Sequence, residues 1–167
     1  MTPVVVLVGP PGAGKSTVGG LLADRLGVPL RDTDEDVEAG AGKSVADIFV
    51  DDGEQRFREL ENGSVAAALC EHDGVVSLGG GAVLAESTRK LLADHRVVFL
   101  DVGLAEAASR VGLGSARPLL LGNVRAQLKA LLDERRPLYR EVAHVVIDTN
   151  SRTPEEVADQ VLAALQR

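Results

Sequence analysis

The stretch "PVVVLVGPPGAGKST", residues 3–17, decides the fold. Residues 3–8 are an apolar run rich in valine that ends at Gly9, as expected of a strand buried on both faces. From Lys15 to Leu26, Val18, Leu21, Leu22 and Leu26 recur at helical spacing, and Gly27 then punctuates the end. Between strand and helix, Gly9, Gly14, Lys15 and Ser16 satisfy the pattern G-x-x-x-x-G-K-[ST]. The glycines let the backbone curl so that successive N–H groups face phosphate oxygens. The helix N-terminus adds roughly half a positive charge. Gly12, Ala13, Gly14, Lys15, Ser16 and Thr17 are therefore candidate nucleotide-binding residues. Lys15 can reach the β- and γ-phosphates, and the Ser16 hydroxyl can ligate Mg²⁺. A ligand-free strand-to-helix turn is the plainer alternative, and the Lys-Ser pair with both flanks in place argues against it.

Outward from this unit, strands and helices alternate. A short second strand is expected over 29–32, helices over 34–52 and 54–71 with Gly40, Gly42 and Gly53 as breaks, and a third strand over 74–78. A short helix near 86–94 leads to a strand over 96–102, then a helix over 104–111 and a loose segment over 112–122. Val124, Leu128, Leu131 and Leu132 mark a helix over 124–135, and "HVVIDT" (144–149) a fifth strand. The last helix opens with a capping pattern at Thr153, Pro154 and Glu156. Such alternation predicts an α/β fold, a parallel sheet covered on both faces. No linker divides the chain, so 167 residues form one domain.

Composition narrows the function. The net charge of −7 argues against nucleic acid or an anionic membrane as the main partner. A single cysteine, Cys70, excludes an internal disulfide and suits a reducing compartment; it is expected to be a small buried apolar residue. The N-terminal apolar run is too short for a signal peptide or a span, so a cytoplasmic location is expected. Aromatic residues make up only 2% of the chain, so aliphatic side chains must fill the core. His72, His95 and His144 have no metal-ligand spacing and read as structural or surface residues. There is no N-K-x-D guanine motif and no long apolar strand ending in Asp-Glu, which leaves a small-molecule kinase as the economical reading.

Four further pieces are "DTD" (32–34), Arg58 in "EQRFRELE", "GGG" (79–81), and "RPLL" (117–120) followed by "RRPLY" (135–139). Together with the loop, in this order and spacing, the chain resembles a shikimate kinase over nearly its whole length. The resemblance implies a nucleoside-monophosphate-kinase-like fold in three layers. Its five-stranded parallel sheet has the order 2-3-1-4-5, with a helical substrate-binding insert over 33–61 and a lid over 112–123. It implies transfer of the ATP γ-phosphoryl group to the 3-hydroxyl of shikimate, with ATP and Mg²⁺ required and a monomer as the working unit.

The same resemblance assigns roles. Asp32 joins Ser16 in holding Mg²⁺, and Asp34 contacts the acceptor hydroxyls and takes the proton. Arg58 and Arg135 grip the acceptor carboxylate as guanidinium forks, Arg135 fitting the family pattern Arg-x-Pro-x-Tyr with Arg136 as the neighbouring alternative. Gly80 and Gly81 offer amides to the substrate. Arg117 is a lid arginine over the γ-phosphate, catalytic with Lys15 and Asp34. Arg110 and Pro154 flank the adenine, with Arg152 close by. Without these motifs, Asp32 and Asp34 read as acidic decoration of a helix start, and Arg58 as a solvated cation paired with Glu54 or Glu61. Val45, Phe49 and Phe57 read equally well as a face for the substrate ring or as core of the insert. Gly63 is expected to kink or loosen the helix that carries Arg58, at a cost of about 1 kcal/mol relative to alanine.

Overall fold

A computed structural model describes residues 2–110 and 121–166, the stretch 121–124 by its backbone only. Strand β1 (Val5–Val8) lies at the centre of a five-stranded sheet, between β3 (Val75–Ser77) and β4 (Val97–Asp101). Strands β2 (Leu30–Asp32) and β5 (Val145–Asp148) form the edges, giving the order β2-β3-β1-β4-β5 with every pairing parallel. Val6 is in register with Val76 on one side and Val97 on the other. The three inner strands are buried on both faces, which is why they read as unbroken apolar runs.

Alternate residues serve opposite faces. Val5, Leu7, Val98 and Leu100 pack under α1 (Lys15–Leu26), α8 (Pro154–Leu165) and part of α7 (Leu121–Val142). Val6, Val8, Val97 and Phe99 pack against α4 (Glu54–Glu71), α5 (Glu86–Leu92) and the far part of α7. These are the outer layers of the three-layer sandwich. A third, small core of Val37, Ile48 and Phe57 joins α2 (Thr33–Ala41), α3 (Val45–Asp52) and the start of α4, apart from the sheet. Here the Glu38 carboxylate accepts from the Val45 amide at 2.9 Å, and Lys43 bridges to Asp52 at 2.7 Å. A short 3₁₀ turn (Ala82–Leu84) precedes α5, and α6 (Leu104–Arg110) follows β4.

Local rules explain most boundaries. Thr153 accepts from the Glu156 amide, Glu156 reaches back to the Thr153 amide, and Pro154 opens α8. Gly42 and Gly53 end α2 and α3 as expected, whereas Gly40 lies inside α2 and breaks nothing. The α7 helix also departs from expectation: it starts at Leu121 and runs to Val142, through Pro137. Proline there removes one backbone donor, but Tyr139 (1% exposed) and Val142 (7%) lie beyond it in the core and hold the last turns in place. Of the expected lid, 112–120 with Arg117 lie outside the described residues. Cys70 is exposed at the end of α4, not buried.

Gly63 does not kink its helix: α4 is continuous over 18 residues. A Cβ added at Gly63 would meet no atom within 4 Å. Gly63→Ala is therefore expected to stabilise the protein by about 1 kcal/mol, through helix propensity alone. Urea denaturation should show a raised midpoint with an unchanged slope.

Candidate active site

All the candidate groups among the described residues sit at the carboxyl ends of the strands. The chain from β1 crosses toward the β2 edge and the chain from β3 toward the β5 edge, so a crevice opens beside β1. The phosphate loop fills its floor. Gly12 adopts φ +84°, and a Cβ there would crowd the Ala107 backbone at 3.0 Å. Helix α1 starts at Gly14 without a side-chain cap, leaving first-turn amides for a ligand to satisfy. Lys15 Nζ donates to the carbonyls of Gly9 (2.7 Å) and Pro10 (3.2 Å). Loss of solvent pushes its pKa down to about 8, against the pull of Asp34 and Asp32, with Arg135 adding to the depression.

The "DTD" segment divides its labour. Asp32 Oδ1 caps α2 by accepting from the amides of Asp34 (2.9 Å) and Glu35 (3.4 Å). Asp32 Oδ2 accepts from Ser16 Oγ at 3.1 Å. Thr33 is buried, and its Oγ1 accepts from the Gly79 amide at 3.2 Å. Asp34 turns toward the crevice. Its Oδ1 is buried with no hydrogen-bond partner, and burial, then the Asp32 charge, raise its pKa. Glu35 is exposed, and Asp36 pairs with Arg31 at 2.6 Å, so these two acids do decorate the helix start.

Two guanidinium groups approach the "GGG" turn. Arg58 Nη1 donates to Glu61 at 2.9 Å, and Arg58 also pairs with Glu54 at 3.5 Å. Glu61 is only 3% exposed, and burial raises its pKa despite Arg58. The Arg58 guanidinium lies 5.2 Å from the Phe57 ring centre and 5.9 Å from that of Phe49. Phe57 belongs to the small third core, with Val45 packed against it, whereas Phe49 is 36% exposed. Arg58 Nε and Arg135 Nε are both buried without a partner. Arg135 lies beside Gly80, its Nη1 3.6 Å from where a Cβ would stand. Arg136 is engaged elsewhere, with Asp101 (3.2 Å) and the Val102 carbonyl (3.1 Å).

Gly79 and Gly81 serve close approach rather than unusual backbone angles. A Cβ at Gly79 would lie within 3 Å of the Asp34 carboxylate, and one at Gly81 within 3 Å of the Arg58 guanidinium. Tyr139, which sequence reasoning quoted only as part of a pattern, donates its hydroxyl to the Gly80 carbonyl at 2.5 Å. Burial pushes that hydroxyl's pKa up to about 12. Thr33 also went unassigned. Thr33 stands among acids and Tyr139 among arginines, so neither carried a local signal of its contact.

At the other end, Arg110 uses its whole edge. Nη1 donates to the Gly12 carbonyl (3.1 Å) and Thr149 Oγ1 (2.9 Å), and Nη2 to Glu106 (2.7 Å) and the Thr149 carbonyl (2.7 Å). Arg110, Arg152 and Pro154 line one cleft of about 590 Å³ with the phosphate loop, Asp32, Asp34, Gly79 and Gly80. Arg58, Gly81 and Arg135 adjoin it through Asp34 and Gly80 but are not among its lining residues. The three histidines lie elsewhere: His72 meets the Pro29 carbonyl at 3.0 Å and His144 the Val97 amide at 3.3 Å, while His95 Nδ1 is buried without a partner. The Ser16–Asp32 pair supplies hard oxygens suited to Mg²⁺, which binds through one or two protein groups plus substrate phosphates. Among the described residues no cluster of three or more His, Cys, Asp or Glu could hold a metal.

This sheet order, with a phosphate loop after its central strand and a partly polar pocket beside it, defines a P-loop small-molecule kinase. Comparison then gives the family. The family model for shikimate kinase matches residues 11–166. The chain is 60% identical to the shikimate kinase of Thermobifida fusca over 163 residues, 98% of this chain and 95% of that protein. It is 61% identical to that of Saccharopolyspora erythraea over 163 residues, 97% of this chain and 93% of that one. Among solved structures, the shikimate kinase of Acinetobacter baumannii in complex with shikimate aligns with a TM-score of 0.90 at 35% identity, covering 99% of this chain and 93% of that chain. The chain belongs to the shikimate kinase family, and it is an enzyme of the kinase class.

The lowered pKa of Lys15 in the phosphate loop predicts that nucleotide binding depends on pH. Its ammonium is present below pH 8 and lost above it, and a polyphosphate favours the charged form. Binding of ATP above pH 8 should therefore take up a proton. Calorimetry at pH 9 in buffers of different ionisation heat should show uptake approaching one proton. The affinity should weaken by about tenfold per pH unit above 8.

Proposed function

We propose that this cleft transfers the γ-phosphoryl group of ATP to the 3-hydroxyl of shikimate, giving shikimate 3-phosphate and ADP. Membership of the family carries ATP as donor and shikimate as acceptor. One observation supports the acceptor end above others. Three buried, partnerless polar atoms, Asp34 Oδ1, Arg58 Nε and Arg135 Nε, belong to side chains grouped about the 79–81 turn. One carboxylate and two guanidiniums are what an acceptor with several hydroxyls and one carboxylate needs.

Phosphoryl transfer passes through a loose transition state, so the chain acts chiefly by orienting groups and balancing charge. Gly12 to Thr17 wrap the phosphates with backbone amides, and Lys15 neutralises the β- and γ-oxygens. Arg110, Arg152 and Pro154 flank the base; with its edge occupied, Arg110 offers only its flat face. Ser16 and Asp32 would hold Mg²⁺, which supplies charge neutralisation on the phosphates when bound. Asp34 orients the acceptor hydroxyl and takes its proton, its raised pKa favouring that role. Arg58, steadied by Glu61, and Arg135 hold the carboxylate, and Gly80 and Gly81 contribute amides. Arg117 is assigned to the γ-phosphate on the resemblance alone, with 112–123 as the lid and 33–61 as the substrate-binding insert. We place the enzyme in the cytoplasm as a monomer, without nucleic-acid or membrane partners. No helix among the described residues is long and apolar enough to cross a membrane.

Asp34→Asn should lower kcat by about 10²–10⁴-fold, the range for loss of a positioned proton acceptor. A coupled assay with shikimate, gluconate and AMP checks both residue and acceptor; equal turnover of gluconate or AMP overturns the assignment.

Arg135→Ala should raise the KM for shikimate by about 10–100-fold, the worth of a charge-assisted bidentate contact. Arg136→Ala should leave that KM within about twofold. The reverse pattern would move the carboxylate grip to Arg136.

A further inference from the structure

The three glycines at 79–81 create a liability along with the room they provide. A Cβ at Gly79 or Gly81 would stand within 3 Å of the Asp34 carboxylate or the Arg58 guanidinium, so a side chain at either position would displace that group. A peptide plane between two glycines, however, rotates with little steric resistance, because neither neighbour has a Cβ to restrict φ and ψ. A planar trans peptide carries its C=O and N–H on opposite sides. Whichever way the Gly80 carbonyl points, the Gly81 N–H points the other way. An amide meant to donate to a ligand from such a turn needs something to hold the plane.

Tyr139 meets that need. Its hydroxyl donates to the Gly80 carbonyl at 2.5 Å, while the ring is buried and packs against Phe99 with ring centres 5.0 Å apart. The ring cannot follow the carbonyl if the plane turns, so rotation would leave the buried Tyr139 hydroxyl without its acceptor. The neighbouring Gly79–Gly80 peptide is pinned as well, since its carbonyl accepts from the Ala82 amide at 3.1 Å, and the Leu78–Gly79 peptide before it donates its N–H to Thr33 Oγ1 at 3.2 Å. Tyr139 stands one helical turn beyond Arg135 on α7, so one helix face delivers both the guanidinium and the hydroxyl to this turn.

We propose that Tyr139 is a positioning residue of the acceptor site: by holding the Gly80 carbonyl toward α7 it fixes the Gly80–Gly81 peptide and aims the Gly81 N–H at the acceptor. It touches neither substrate. The inference rests on the reading of 79–81 as part of the acceptor site.

Tyr139→Phe removes one hydroxyl and keeps the ring. The dissociation constant of shikimate, measured directly by calorimetry, and its KM should both rise about tenfold. The KM for ATP should stay within twofold. Unchanged shikimate affinity, or equal losses for shikimate and ATP, overturns the proposal; the first means the hydroxyl does not aim the amide, the second that it only supports the fold. If wild-type protein itself fails to bind shikimate, the functional reading falls instead. Wild-type protein labelled with ¹⁵N-glycine gives a test that needs no variant. The Gly81 amide should show one sharp resonance without microsecond–millisecond exchange, and exchange broadening there overturns the proposal.

Discussion

Asp32 is the joint on which the site depends. One of its oxygens caps α2 and the other accepts from Ser16 in the phosphate loop. A single carboxylate thus fixes the start of α2 relative to the first turn of α1. Asp34, two residues on, is placed by that cap. Through Thr33 and the Gly79 amide, the "GGG" turn is tied to the same segment. The phosphate loop and the 79–81 turn are therefore related by side-chain contacts only a few residues long, and errors in their spacing do not accumulate across the sheet.

The electrostatics follow from this compactness. Lys15, Arg58 and Arg135 are crowded with Asp32, Asp34 and Glu61 in a chain whose net charge is −7. Burial drives Lys15 down and Asp34 up, the direction in which each sheds its charge. Anionic ligands act oppositely on the lysine. The site is thus poised so that ligands complete its charge balance, and the penalty for buried charge is met by the groups being bound.

Much of the fold was readable because its causes are local. The valine-rich runs of β1 and β4 are buried on both faces, and the Thr153-Pro154-Glu156 cap is a short-range device. The errors share a different origin. The helix expected over 124–135 stopped short, yet burial of Tyr139 and Val142 carries α7 through Pro137 to Val142. Gly63 was read by its intrinsic preference, yet α4 is held by Phe57, Val65 and Leu69 on its buried face and stays continuous. Cys70 was judged by residue type, while its exposure depends on which side of α4 meets the sheet. In the two helices tertiary packing outweighed local propensities worth about 1 kcal/mol for the glycine and about 3 kcal/mol for the proline.

The choice between Arg135 and Arg136 shows how far helix geometry could have carried the sequence. Adjacent residues on a helix point about 100° apart, so the two guanidiniums cannot face one cleft together. Residues four apart share a face. Tyr139 therefore travels with Arg135, and Val142, a buried residue, lies three beyond Tyr139 on that side. A helix continued through Pro137 would have singled out Arg135 as the inward cation and Arg136 as the one directed elsewhere, where Asp101 receives it. A helix taken to end at residue 135 discards the very periodicity that separates the two. The same continuity brings Arg135 to the turn that Tyr139 holds, so one helical face governs both the cation and the glycine backbone beside it.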